Sequence, residues 1–235
     1  MVATTIDIIQ PCLYSHSMTW PKTFTEMKSI YAEGIDAAVR SQRFIKVLHR
    51  AIASEIEVRL TDTARKEGLA VVAEAKLHGS FKDKDVDIAV IHPVNGPLIL
   101  CGVRSQMSSI AKNILTYSQD IMGEAVSLQD RFPMTVFGYC YLLPLKPHDT
   151  GNLDVPRYSK IFGSMSGRSE ASYKHERGRY DHFAFACVDF ETDPPTLRED
   201  LVAEGNPKVD LALSNISDRL IETFKLRNPW LDYFN

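Results

Sequence analysis

The stretch Lys82–Asn113, KDKDVDIAVIHPVNGPLILCGVRSQMSSIAKN, decides how the rest of the chain is read. Val86 to His92 and Leu98 to Arg104 are rich in Val, Ile and Leu, and Pro93-Val94-Asn95-Gly96-Pro97 punctuates them. Two β-branched runs around a Pro/Asn/Gly turn predict a hairpin. With a two-residue Asn95-Gly96 turn, Asp87 faces Arg104; with a four-residue loop it faces Gly102. Side chains alternate along a strand, so either register puts Asp87, Gly102 and Arg104 on one face. A three-residue loop or a bulge breaks that parity. A helix is expected to open at Ser105, its N-cap, and run to about Leu128.

Asp87, then fourteen residues, then Gly102-Val103-Arg104 ahead of a helix resembles the PD-(D/E)xK core of restriction-endonuclease-like nucleases. Asp87 matches the motif Asp, Val103 the middle residue, and Arg104 stands in place of Lys. Gly102 occupies the position of the motif acid, which is the main departure. The resemblance extends over roughly residues 40–235 as an order of helix, three strands, helix and two strands. It implies an α/β fold with a central mixed sheet flanked by helices, over residues 41–235, preceded by an extension at 1–40. It further implies a metal-dependent DNA endonuclease using Mg²⁺ or Mn²⁺, with DNA as partner and a homodimer as an assembly open to it. Asp87 and the Val103 carbonyl would be metal ligands, and Arg104 would hold the scissile phosphate. Arg stays charged, so Arg104 is no general base. The alternative is a catalytically inactive nuclease fold kept for DNA or partner binding.

With Gly102 in the acid's position, other carboxylates become candidates. Phe44, Val47, Leu48, Ala51, Ile52, Ile56 and Leu60 form a helical stripe, and Glu55 lies within it. A carboxylate on a core-facing stripe is costly unless paired or metal-bound. The resemblance admits an acid on this helix, so Glu55 is the first substitute for both metal binding and catalysis. A stripe-edge Glu that reaches solvent or pairs with Arg59 is the plainer reading. Glu74, on the expected first strand Leu69–Lys76, is a second candidate. Glu124, a quarter-turn off the next helix's apolar stripe, reads as solvent-exposed and is held in reserve.

Candidate DNA contacts come from two places. Ser105, Gln106 and Ser108 lie in the expected first helical turn, whose free N–H groups suit phosphate. Arg157–Arg179 carries six Lys/Arg (Arg157, Lys160, Arg168, Lys174, Arg177, Arg179) against two acids, in Ser/Gly-rich sequence. Backbone-gripping segments have that composition, and so do solvated loops.

The 235 residues suffice for a full core, and a net charge of −3 neither requires nor excludes nucleic acid. Cys12, Cys101, Cys140 and Cys187 lack CxxC spacing, and three of them lie in apolar runs as buried thiols, fitting a reducing cytosol. No apolar run approaches the roughly 18–20 residues of a membrane span. Dinucleotide, Walker, HExxH, GxSxG and zinc patterns are absent from the sequence. Further strands are expected at Met134–Leu143 and Tyr180–Phe190. A closing helix is expected at Val209–Arg227, followed by Trp230 docked on the core.

Overall fold

A computed structural model describes residues 19–34, 42–148, 153–168 and 177–235. Helix α1 (Trp20–Ala32) is followed by α2 (Arg43–Glu57) and the short α3 (Asp62–Lys66). A meander follows, with β1 (Ala70–His78), β2 (Asp83–His92) and β3 (Gly96–Ser105) antiparallel to one another. Helix α4 (Ile110–Arg131) then crosses over to β4 (Val136–Pro144), which pairs parallel to β3. After α5 (Val155–Gly163), β5 (His182–Asp189) adds in parallel, and β6 (Thr196–Leu197) closes the edge antiparallel. Helices α6 (Glu199–Gly205) and α7 (Ile216–Arg227) complete the chain, and the six strands lie in sequence order in one mixed sheet.

The sheet has an apolar layer on each face, as a parallel centre demands. On one face Phe44, Val47, Leu48, Ile52 and Ile56 of α2 pack with Leu220 and Phe224 of α7 over Ile88, Val90, Cys101 and Cys140. Phe24, Met27 and Ile30 of α1 join this layer. On the other face Ile114, Ile121 and Ala125 of α4 meet Phe162 of α5 over Leu100, Tyr139, Tyr141 and Phe185. β4 is buried along its whole length. Cys101, Cys140 and Cys187 are free and buried, as expected of small apolar thiols, whereas Cys12 lies outside the described residues. No helix among the described residues is long and apolar enough to cross a membrane.

Several elements depart from the sequence reading. The α2 helix stops at Glu57, and Thr61 starts α3 by accepting the Ala64 N–H. Ser105 ends β3 and does not cap a helix; Gln106–Ser109 form a connector, and α4 starts at Ile110. Residues 155–163 are helical despite the loop-like composition of the segment that follows, because Asp154 accepts the Arg157 N–H and Pro156 suits a first turn. The Pro-rich, acidic stretch 192–206 contains β6 and α6, and the closing helix starts at Ile216 rather than Val209. Trp230 is 74% exposed; Tyr233 and Phe234 dock against the core in its place, with Phe234 bridging to Leu60.

Candidate functional site

Strand β2 presents Asp87 at a break in the sheet. Ala73 pairs with Ile88 and Ala75 with Val86, leaving Glu74 opposite Asp87 between them. On β1, Val72 and Ala75 both face the α4 layer; on β2, Val86 and Ala89 do the same. Three-residue spacing between same-face residues means each strand carries one extra residue at the same level. Glu74 absorbs it with a left-handed φ of 52°, which is uncommon outside glycine. Both Glu74 and Asp87 consequently turn toward the α2 side.

The expected shared face of Asp87, Gly102 and Arg104 is therefore not formed. The loop Pro93-Val94-Asn95 has three residues, and the β2–β3 register shifts between Val90 and Ile91. His92 organises the turn by accepting the Val94 and Asn95 N–H groups at 3.1 Å each. Gly102 faces the α4 side, where an added Cβ would lie 2.5 Å from Tyr139 Cε2. The glycine thus makes room for a buried tyrosine, and a side chain at 102 points away from Asp87.

Around Asp87 lies an open cleft of about 630 Å³, bordered by Gln42, His49, Glu74, Lys76, Asp85 and Arg104, among others. Asp87 Oδ2 accepts the Val103 N–H at 2.7 Å, just past the last β2–β3 pair. His49, from α2, approaches Asp87 Oδ1 with Nε2 at 3.7 Å. Burial raises the Asp87 pKa, against the opposing pull of His49 and of the Val103 N–H. Burial lowers that of His49, while Asp87, Glu74 and a hydrogen bond donated to the Val103 backbone act the other way. His49 was not singled out from sequence. The signal was there in Ile45, His49, Ile52 and Ile56, which follow one helical stripe and place an imidazole on the core face.

Arg104 borders the cleft from the α4 side, with its guanidinium 4.6 Å from the Tyr117 ring centroid. Its Nη1 is buried without a hydrogen-bond partner. Ser105 lines the cleft at the strand end. Gln106 is buried, donating to the Ser108 and Ser109 carbonyls at 3.0 Å and accepting from Tyr141 Oη at 2.9 Å. These bonds commit Gln106 to the connector, which corrects its assignment as a DNA contact. Ser108 is half-buried, with its carbonyl engaged by Gln106.

Glu55 is not part of this cleft. Its Oε2 accepts from Ser217 Oγ in the first turn of α7 at 2.9 Å, and burial raises its pKa. As substitute metal ligand it is misplaced: six residues beyond His49, it lies over a turn and a half further along α2, on the side of α7. Glu124, expected in solvent, is buried on the α4 side and receives Lys84 Nζ at 2.8 Å. Among the basic candidates, Arg168 is fully buried, donating to the Thr135 and Pro133 carbonyls at 3.2 and 2.6 Å beside Asp181. It belongs to the core and cannot touch DNA. Lys160 and Arg179 are exposed, Arg177 is exposed and pairs with Asp130 at 3.0 Å, and Lys174 lies outside the described residues.

The donor chemistry of the cleft suits a hard divalent cation: carboxylates from Asp87 and Glu74, with Asp85 nearby. Among the described residues no group of three or more His, Cys, Asp or Glu side chains is placed to hold a metal ion. Such open sets match Mg²⁺, which keeps several waters and shares its shell with phosphate. No protein-family model, curated protein or solved structure matches the chain.

Proposed function

We propose that the chain is a restriction-endonuclease-like, metal-dependent DNA endonuclease centred on Asp87. The observation that carries this reading is the position of Asp87. It lies where the β2–β3 ladder opens into a cleft, on a sheet built as helix, three-strand meander, crossover helix and parallel strand. That order is the one the PD-(D/E)xK resemblance implies. Asp87 would anchor the cation, and the Val103 carbonyl, whose residue's N–H steers the Asp87 carboxylate, would be the neighbouring ligand that the resemblance implies. A bound Mg²⁺ or Mn²⁺ supplies an acidified water and charge stabilisation at the phosphorus.

The remaining work falls to the chain's own groups. Arg104 borders the cleft, and its guanidinium fork holds a phosphate oxygen at that edge. Stacking on Tyr117 keeps its planar fork oriented. Arg157, Lys160, Arg177 and Arg179 are the exposed cations among the described residues of the sequence-derived set and grip the DNA backbone.

Plasmid cleavage with Mg²⁺ or Mn²⁺ tests the reading. Wild type should cut, and both Asp87→Ala and chelation should abolish cutting. Retained cleavage in either case sinks it. A second reading, a nuclease fold that binds DNA without cutting, is favoured by one observation: no group of three or more His, Cys, Asp or Glu side chains among the described residues is placed to hold a metal ion. DNA binding that is indifferent to Mg²⁺, with no cleavage, is its signature.

A further inference from the structure

Resting on the nuclease reading, we infer that the acid and lysine absent from β3 are supplied by β1, as Glu74-Ala75-Lys76, and complete a divalent-cation and phosphate site with Asp87. The acid-x-lysine spacing places both side chains on one face, with Ala75 turned to the α4 layer between them. Glu74 stands opposite Asp87 in the β1–β2 register, and Lys76 opposite Asp85. All four residues border the same cleft. In the sequence resemblance the second acid lies on the strand after Asp87; here it lies on the strand before, on the other flank of β2.

An independent observation points to a ligand at this place. His49 is only 7% exposed, lies against the cleft, and its Nε2 has no hydrogen-bond partner. A buried polar atom left bare costs free energy unless something fills the cleft beside it. A hydrated cation or a phosphate oxygen next to Asp87 would supply that partner. The left-handed backbone of Glu74 agrees with this reading, since strain of that kind gathers where a side chain must be aimed.

Lys46 Nζ holds Glu74 Oε1 at 3.0 Å, with both side chains about half exposed. Exposed pairs of this kind are worth little. The Lys46 contact would therefore give way if Glu74 and Asp87 held a divalent cation. Lys76, lining the same cleft, would then offer a point charge to the phosphate.

Mn²⁺ titration followed by electron paramagnetic resonance, on the purified full chain without DNA, tests the inference. Glu74→Gln and Asp87→Asn should each weaken Mn²⁺ binding at least about tenfold, whereas Glu55→Gln should leave it unchanged. Glu74→Asn is the companion variant, because Asn tolerates a left-handed φ and keeps the test valid should the Gln variant fail to fold. Lys76→Met should retain Mn²⁺ and lose plasmid cleavage, with Lys76→Arg recovering part of it. If Asp87→Asn abolishes Mn²⁺ binding and cleavage while both Glu74 variants retain them, the β1 assignment is overturned and the nuclease reading stands. If wild type binds no Mn²⁺, both are overturned.

Discussion

Restoring the motif acid with Gly102→Glu should break the protein rather than repair it. A Cβ at 102 would lie 2.5 Å from Tyr139 Cε2 and 2.7 Å from Cδ2, so the ring must retreat by about 0.9 Å to reach an ordinary 3.4 Å contact. It has nowhere to go, being stacked on Phe183 at 5.3 Å and leaning on Tyr180 at 5.1 Å. Overpacking of this kind costs about 1–3 kcal/mol, which is the expected loss for Gly102→Ala. Gly102→Glu adds a carboxylate on the α4 side near buried Glu124, for a total of at least about 3 kcal/mol. Urea unfolding measures both losses. In a Tyr139→Ala background the Gly102→Ala loss should shrink below about 0.5 kcal/mol, giving a coupling energy of about 1–3 kcal/mol. A Gly102→Ala variant as stable as wild type, or a Gly102→Glu variant that gains Mn²⁺ affinity, would show that position 102 faces the cleft after all.

Other outcomes follow from buried charge and from the chain's end. Asp181→Asn strips the counter-charge from Arg227 (side chain 1% exposed) and Arg168 (0%), and should cost about 3–5 kcal/mol by urea unfolding. A loss under about 1 kcal/mol would contradict the pairing. His182, with Nε2 at 2.7 Å from Thr223 Oγ1, has its pKa lowered by burial to about 4. The unfolded chain takes up this proton first, near pH 6.5, so its contribution is complete above that pH and is lost as pH falls through about 4. The amount is on the order of 3 kcal/mol, and His182→Gln should flatten that part of the stability–pH curve. Asp87 works in the opposite sense. Its raised pKa favours the folded state in acid, so Asp87→Asn should be more stable than wild type at pH 7, an advantage that fades below about pH 4. Deleting residues 232–235 should lower the melting temperature, because it removes buried Tyr233 and Phe234, while Trp230→Ala should change stability by less than about 0.5 kcal/mol.

The strands around Asp87 were legible because their apolar runs and the Pro/Asn/Gly turn are local signals. Which way their side chains point was not, since a three-residue loop, a register shift and a matched pair of extra residues depend on pairing partners far along the chain. Glu55 illustrates the same limit. Its place on the α2 stripe leaves it half-buried, and the group that meets it there is Ser217, 162 residues away. Arg168 looked like a surface cation because its neighbours are Ser and Gly. Its real partners are carbonyls of 133 and 135 and the Asp181 carboxylate, which no window of sequence brings together. Ser105 was mistaken for a cap because β3 runs one residue further than its apolar pattern, carried by pairing with Leu142 of β4.

The paired extra residues of β1 and β2 make the cleft separable from the sheet that carries it. Removing Glu74 alone leaves Asp87 unopposed as a one-sided bulge of β2. Removing Asp87 alone leaves Glu74 unopposed on β1 in the same way. Removing both closes the gap, for Ala73↔Ile88 and Ala75↔Val86 then become adjacent rungs of an ordinary pleat, with every apolar residue still on its own side. The double deletion should therefore fold better than either single one. The carboxylate pair is in effect an inserted rung: the architecture is complete without it, and selection can add or erase the site in a single matched step without redrawing the core.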